Sequence, residues 1–171
     1  MSKVGASRDT SGAVLRWDEP DQLRQGIEDN LATLGVSRLA AVNLRVMDPF
    51  VSGQRFDAQL AALIQAREEG LIDGVGLSNI TRPQLLRAAG QTEIVCVQNL
   101  FNLAYQRSPD VLTECTNRKI AFVPFSPLGW PGDARRDLPA SRCSPRWGHG
   151  CTRHPGRSRS PGCSTSRRTS C

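Results

Sequence analysis

Apolar positions along the chain alternate between two spacings, and each spacing predicts one kind of element. Lys3-Val4-Gly5 reads as the end of a very short strand, and a polar loop follows to about Trp17. Asp18-Glu19-Pro20 marks a helix start, with an acidic N-cap candidate and a proline just inside. Leu23, Ile27, Leu31 and Leu34 hold one face at helical spacing until Gly35 stops it. The run from Arg38 to Val46 is apolar enough for a buried parallel strand. A second helix carries Phe56, Leu60, Leu63 and Ile64 and ends at Gly70. A strand from Ile72 to Leu77, a helix from Thr81 to about Ala89 and a strand from Ile94 to Val97 come next. A short helix from Asp110 to about Asn117 and a strand from Ile120 to Phe125 complete the series. This alternation predicts an α/β fold, a parallel sheet covered by helices, without separating an open sheet from a closed barrel. No strand is followed by G-x-G-x-x-G, so a Rossmann first turn is not expected.

The pattern stops after Gly132. Residues 133–171 are rich in Arg, Ser, Pro, Gly and Cys, and Leu138 is their only Leu, Ile, Val or Met. Such a composition cannot offset the entropy of ordering, so disorder is expected there. The stretch holds nine Arg and two Asp, a charge of 9 − 2 = +7, against +6 for the whole chain. The body, residues 1–132, therefore carries 6 − 7 = −1, and the basic character belongs to the tail alone. Three readings of the tail compete. It is a basic arm for nucleic acid or an acidic partner, a Cys/His metal site, or a stretch with no selected function. The spacings of Cys143, Cys151, Cys163, Cys171, His149 and His154 match no common zinc pattern, and no metal ligand set is expected. A shifted reading frame near codon 130 accounts for the composition and for its onset between a strand and the helix that should cover it. The N-terminus carries no apolar leader and no run reaches the length of a membrane span. The expectation is a cytoplasmic protein with reduced thiols, with neither membrane nor nucleic acid as partner.

Three segments carry a resemblance: GLIDGVGLSNIT (70–81), IVCVQNLFN (94–102) and IAFVPFSPLG (120–129). Read singly, Ser78-Asn79 is turn chemistry, Gln98 bonds a loop carbonyl and Phe125 is core. In this order and spacing the segments resemble the aldo/keto reductase family. LATLGVSRLAAVNLRVMD (31–48) is similar to the family's helix and strand before its catalytic histidine, and MSKVG (1–5) to its third barrel strand, which ends in a catalytic lysine. The similarity covers about residues 1–132. It implies a partial (β/α)8 barrel of about five βα units, with ligands at the C-terminal ends of the strands. It also implies that NADP(H), or NAD(H), is the cofactor. Ser78, Asn79 and Gln98 would then hold the nicotinamide carboxamide, which needs both donors and acceptors. Phe125 would lie under the ring, and Ser126 and Leu128 beside the pyrophosphate.

The catalytic set is incomplete. Lys3 is the one member of the family's Tyr, Lys, Asp and His tetrad that aligns; on position alone, so close to a terminus, it reads as solvated and mobile. Arg45 stands where the histidine would be, as a hydrogen-bond donor to a carbonyl or anion or as a salt-bridge residue. Asn43 faces the same way by strand alternation and is the substrate-binding candidate. Tyr105, the only tyrosine, follows Gln98 and is not at the family's catalytic position. The strands that would carry the Asp and Tyr fall before Met1. Two expectations follow: low solubility from open strand edges, and no carbonyl reduction by this chain alone. The predicted function is an aldo/keto reductase-like oxidoreductase acting, in the intact ancestor, on a small carbonyl substrate. The alternatives are a non-catalytic partial-barrel binding protein with a basic arm, or a gene remnant.

Overall fold

The computed structural model describes residues 1–102, 105, 106 and 108–127. The chain divides into a main unit, residues 1–101 and 106–125, and a second unit, residues 102–105 and 126–171. Leu128, the boundary expected at Gly132 and the whole basic tail lie outside the described residues.

The main unit is one sheet with helices packed on it. Its strands are β1 (Ser2–Arg8), β2 (Val14–Trp17), β3 (Val42–Arg45), β4 (Val75–Ser78), β5 (Ile94–Gln98) and β6 (Ala121–Phe122). Its helices are α1 (Pro20–Leu34), α2 (Gly53–Glu68), α3 (Arg82–Ala89) and α4 (Pro109–Arg118). The sheet order is β2-β1-β3-β4-β5-β6. Every pairing from β1 to β6 through β3 is parallel, and β2 alone is antiparallel. Helices link the successive parallel strands, as the alternation predicts.

The loop expected before Trp17 is instead a hairpin. Asp9 Oδ1 accepts from the backbone N–H groups of Ser11 and Ala13, and Gly12 takes a left-handed φ of 85°, which closes the turn. Gly5 explains how β1 serves two partners. Residues Ser2–Val4 pair with β3 and Gly5–Arg8 pair with β2. At φ 106° a Cβ on Gly5 would sit 2.4 Å from the Arg45 carbonyl oxygen, so only glycine lets β1 leave the parallel ladder there.

Helix ends follow local chemistry. The acidic N-cap of α1 is Glu19; Asp18 before it is buried, and its carboxylate pairs with Arg55 of α2 at 2.9 Å. Gly35 closes the same helix in the left-handed conformation. Ser52 Oγ accepts from Arg55 N–H to start α2. Strand β3 is shorter than the expected Arg38–Val46, with Leu39 making only an isolated bridge to Ile72. Strand β6 is two residues rather than six, and Phe125 reaches the sheet through one bridge to Leu100. Pro124, between them, has no N–H for the ladder.

The core lies between sheet and helices. Val4, Leu44, Leu77 and Val97 stand in register across β1, β3, β4 and β5 and are buried against Leu23, Ile27, Phe56, Leu60, Leu63 and Leu85. The sheet also curls. A flat sheet would hold the first and fifth parallel strands about 19 Å apart, at roughly 4.8 Å per strand. Instead Lys3 Nζ on β1 lies 5.8 Å from the centre of the Phe125 ring, beyond β6. That span closes only if the strands arc round, so the arrangement is a segment of a barrel.

Candidate functional site

Strand alternation puts a second set of side chains on the inner face of the arc. Lys3, Asn43, Gly76 and Cys96 are in register and form a lower layer. Two residues further along, Arg45, Ser78 and Gln98 form an upper layer at the strand ends. Thus β3, β4 and β5 bring three of the expected site residues side by side, and β1 adds Lys3 beneath them.

The lower layer is tightly filled. Asn43 has no exposed surface, its Oδ1 accepts from Cys96 Sγ at 3.0 Å, and its amide donates to Met1 Sδ. Gly76 makes room for it, since a Cβ there would meet Asn43 Oδ1 at 1.9 Å. Asn43 therefore shares a face with Arg45, as expected, but sits one layer deeper. Burial pushes the Cys96 thiol pKa up, partly offset by the N-terminal ammonium and Lys3.

The upper layer is open. Ser78 is buried, while Arg45 and Gln98 are half-buried. Among the described residues no side-chain hydrogen bond or ion pair occupies Lys3, Arg45, Ser78 or Gln98, so the salt-bridge alternative for Arg45 has no partner there. Lys3 is half-buried rather than solvated, with its ammonium over the Phe125 ring. Its pKa is lowered from 10.5, chiefly by burial and next by the Arg45 charge, with Cys96 opposing weakly.

Asn79 uses its side chain for the turn. It holds φ 61°, its Nδ2 donates to the Val46 carbonyl at 2.8 Å, and its backbone N–H donates to the Gln98 carbonyl at 3.1 Å. Its Oδ1 is left to accept from a ligand. Asn99 was not singled out by the sequence, yet it fixes this region. Its Oδ1 accepts from Ile80 N–H at 3.0 Å, and its Nδ2 donates to the Ile80 carbonyl at 2.7 Å. Phe125 N–H in turn donates to the Asn99 carbonyl. The only available signal was its place in V-Q-N-x-x-N. In the second unit Asn102 plays a similar part: its Nδ2 donates to the carbonyl of Ser126, which has φ 51°, and its Oδ1 accepts from Tyr105 N–H.

This donor set suits a primary carboxamide on a flat ring. Gln98 offers both a donor and an acceptor, Ser78 a hydroxyl, Asn79 an acceptor, and Phe125 an aromatic face. Among the described residues no group of three or more His, Cys, Asp or Glu could hold a metal ion, and no helix is long and apolar enough to cross a membrane.

Comparison with known proteins gives a consistent result. The aldo/keto reductase family model matches residues 3–148, past the expected limit at Gly132. The chain is 37% identical over 132 residues to pyridoxine 4-dehydrogenase of Escherichia coli, covering 75% of this chain and 46% of that protein. It thus spans under half the length of that relative. A crystallised thermostable aldo-keto reductase in complex with the inhibitor epalrestat superposes with a TM-score of 0.61 at 26% identity, over 78% of this chain and 46% of that one. The glycerol dehydrogenase of Gluconobacter oxydans shares the fold, with a TM-score of 0.62 at 20% identity over 71% of this chain and 38% of that one.

Proposed function

The chain belongs to the aldo/keto reductase family, and from that premise we propose that its strand ends hold the nicotinamide of NADP(H) or NAD(H) beside a small carbonyl substrate. The observation that carries this reading is the register of Arg45, Ser78 and Gln98 across three adjacent strand ends, with their side chains uncommitted. Gln98, Ser78 and the Asn79 oxygen take the carboxamide, and Phe125 faces the ring. The family resemblance alone assigns the pyrophosphate to Ser126 and to Leu128, the latter outside the described residues.

When bound, the nicotinamide supplies a hydride to the carbonyl carbon. Lys3 and Arg45 donate hydrogen bonds to the carbonyl oxygen and stabilise the negative charge that develops on it. Asn43 belongs to the floor of the site, because its oxygen is already engaged by Cys96. The residues at these strand ends include neither tyrosine nor histidine. Lys3 is a titratable group on this face, and burial together with Arg45 makes it a readier acid than an exposed lysine. Without a tyrosine acid at the described strand ends, the chain is expected to bind the nucleotide but to turn over simple aldehydes below detection.

Titrating the purified chain with NADPH and NADH, followed by nucleotide fluorescence, tests the reading. Saturable binding is expected, weakened about tenfold by Gln98→Ala or Phe125→Ala. A folded chain that binds neither nucleotide sinks the assignment. Oxidation of NADPH with a simple aldehyde sinks the inactivity.

A further inference from the structure

Asn99 is buried and commits its side chain to other residues. Its Oδ1 accepts from Ile80 N–H at 3.0 Å, while its Nδ2 donates to the Ile80 carbonyl at 2.7 Å and to Ser108 Oγ at 3.2 Å. The Ile80 N–H belongs to the peptide that follows Asn79. The N–H of the peptide before Asn79 donates to the Gln98 carbonyl at 3.1 Å. Gln98 and Asn99, the last residue of β5 and the one after it, thus hold both peptides that flank Asn79. A residue other than glycine keeps a left-handed backbone, here φ 61°, only where its surroundings over-determine it. With both peptide planes fixed, the direction of the Asn79 side chain is set. Its amide goes to the Val46 carbonyl, and its Oδ1 is left for the ligand. Phe125 is held by the Asn99 main chain instead, its N–H donating to the Asn99 carbonyl at 3.0 Å.

We propose that Asn99 is a positioning residue for the nucleotide: its side chain aims the Asn79 oxygen at the amino group of the carboxamide and so makes the site select an amide over a ketone in its place. The proposal rests on the reading that these strand ends hold the nicotinamide. It separates two effects of one residue. The Asn99 side chain governs the contact with the carboxamide, and the Asn99 main chain governs where the Phe125 ring lies. A substitution at Asn99 removes the first and leaves the second.

The test compares NADP+ with its 3-acetylpyridine analogue, in which a methyl group replaces the amino group of the carboxamide. Calorimetric titration of the full chain gives the ratio of the two affinities. A general loss of stability does not move that ratio, because both ligands need the same folded chain. The unmodified chain is expected to prefer NADP+ about tenfold, the effect of one well-aimed hydrogen bond. Asn99→Leu keeps the side-chain volume and loses the bonds to Ile80, so the preference should vanish while the analogue still binds. Ser108→Ala removes a bond that does not touch Ile80 and should leave the preference intact. Phe125→Ala should weaken both nucleotides equally. Circular dichroism reports whether each variant folds, and Asn99→Ala serves if Asn99→Leu does not. The proposal alone is overturned by equal affinities in the unmodified chain or by a preference that survives in a folded Asn99 variant. It is equally overturned by a preference lost in Ser108→Ala or Phe125→Ala, or by failure of both Asn99 variants to fold. A folded, unmodified chain that binds neither nucleotide overturns the nucleotide reading, and the proposal with it.

Discussion

The two faces of the parallel sheet come from the same strands and share almost no chemistry. On the helix side, Val4, Leu44, Leu77 and Val97 are in register, apolar and buried. On the inner side the neighbouring positions are Lys3, Asn43, Arg45, Ser78, Cys96 and Gln98. One residue along a strand changes the environment from close-packed hydrocarbon to a surface of donors, acceptors and charge. The helix face secures the fold. On the inner face Asn43 and Cys96 bond one another and fill the floor, and the uncommitted polar residues above them point to ligand chemistry rather than to stability.

Adjacent residues give the sharpest way to break this contrast. Leu77 has no exposed surface, and Leu77→Ala should cost about 2–5 kcal/mol in urea unfolding. Ser78→Ala, one residue on, should change stability by less than about 1 kcal/mol while weakening nucleotide binding. Equal stability losses at the two positions would mean that the inner face is structural as well.

The two described cysteines extend the comparison to pH. Cys115, on α4, has its pKa pushed up from 9.0 to about 11, first by burial and then by the Glu114 and Cys96 charges. Because the folded value is the higher one, this thiol stabilises the fold fully below about pH 9. That contribution is lost as pH rises through about 11, and at roughly 1.4 kcal/mol per unit it is at most about 3 kcal/mol. Cys115→Ala should remove that part of the alkaline slope of urea stability. Cys96, on the inner face near Lys3, is subject to an opposing charge, so iodoacetamide should label it before Cys115. A mutant with an unchanged slope, or labelling in the reverse order, would show that burial does not separate the faces in this way.

The helices and the parallel strands were legible in the sequence because each helix keeps its apolar stripe and each inner strand its apolar run. The hairpin was not legible. Both faces of Val14–Trp17 are exposed, so no alternation marks it, and only the Asp9 to Gly12 turn hinted at it. Ends of strands were overextended where apolar residues continue but pairing thins to an isolated bridge or a single bond, as at Leu39 and Val123. At the site, Ser78, Gln98, Arg45 and Lys3 were legible as a set through the family resemblance, since each lies in or beside a matching segment. Asn99 was not, because its partner Ile80 is 19 residues away and only the folded chain brings them together. The depth of Asn43 was also hidden, because alternation fixes a face but not a layer.

Asn79 stands where the two faces meet, between the end of β4 and the start of α3, and gives the smallest effect. Asn79→Gly keeps the left-handed backbone but loses the bond to the Val46 carbonyl, and should cost about 1 kcal/mol. Asn79→Ala loses the bond and strains the backbone, so it should cost about 1 kcal/mol more. Both variants also remove the side-chain acceptor assigned to the carboxamide, so both should weaken nucleotide binding to a similar degree. If affinity instead followed stability, with Ala much worse than Gly, then Asn79 would act on the ligand only by shaping the turn. The acceptor role would then pass to Gln98 alone.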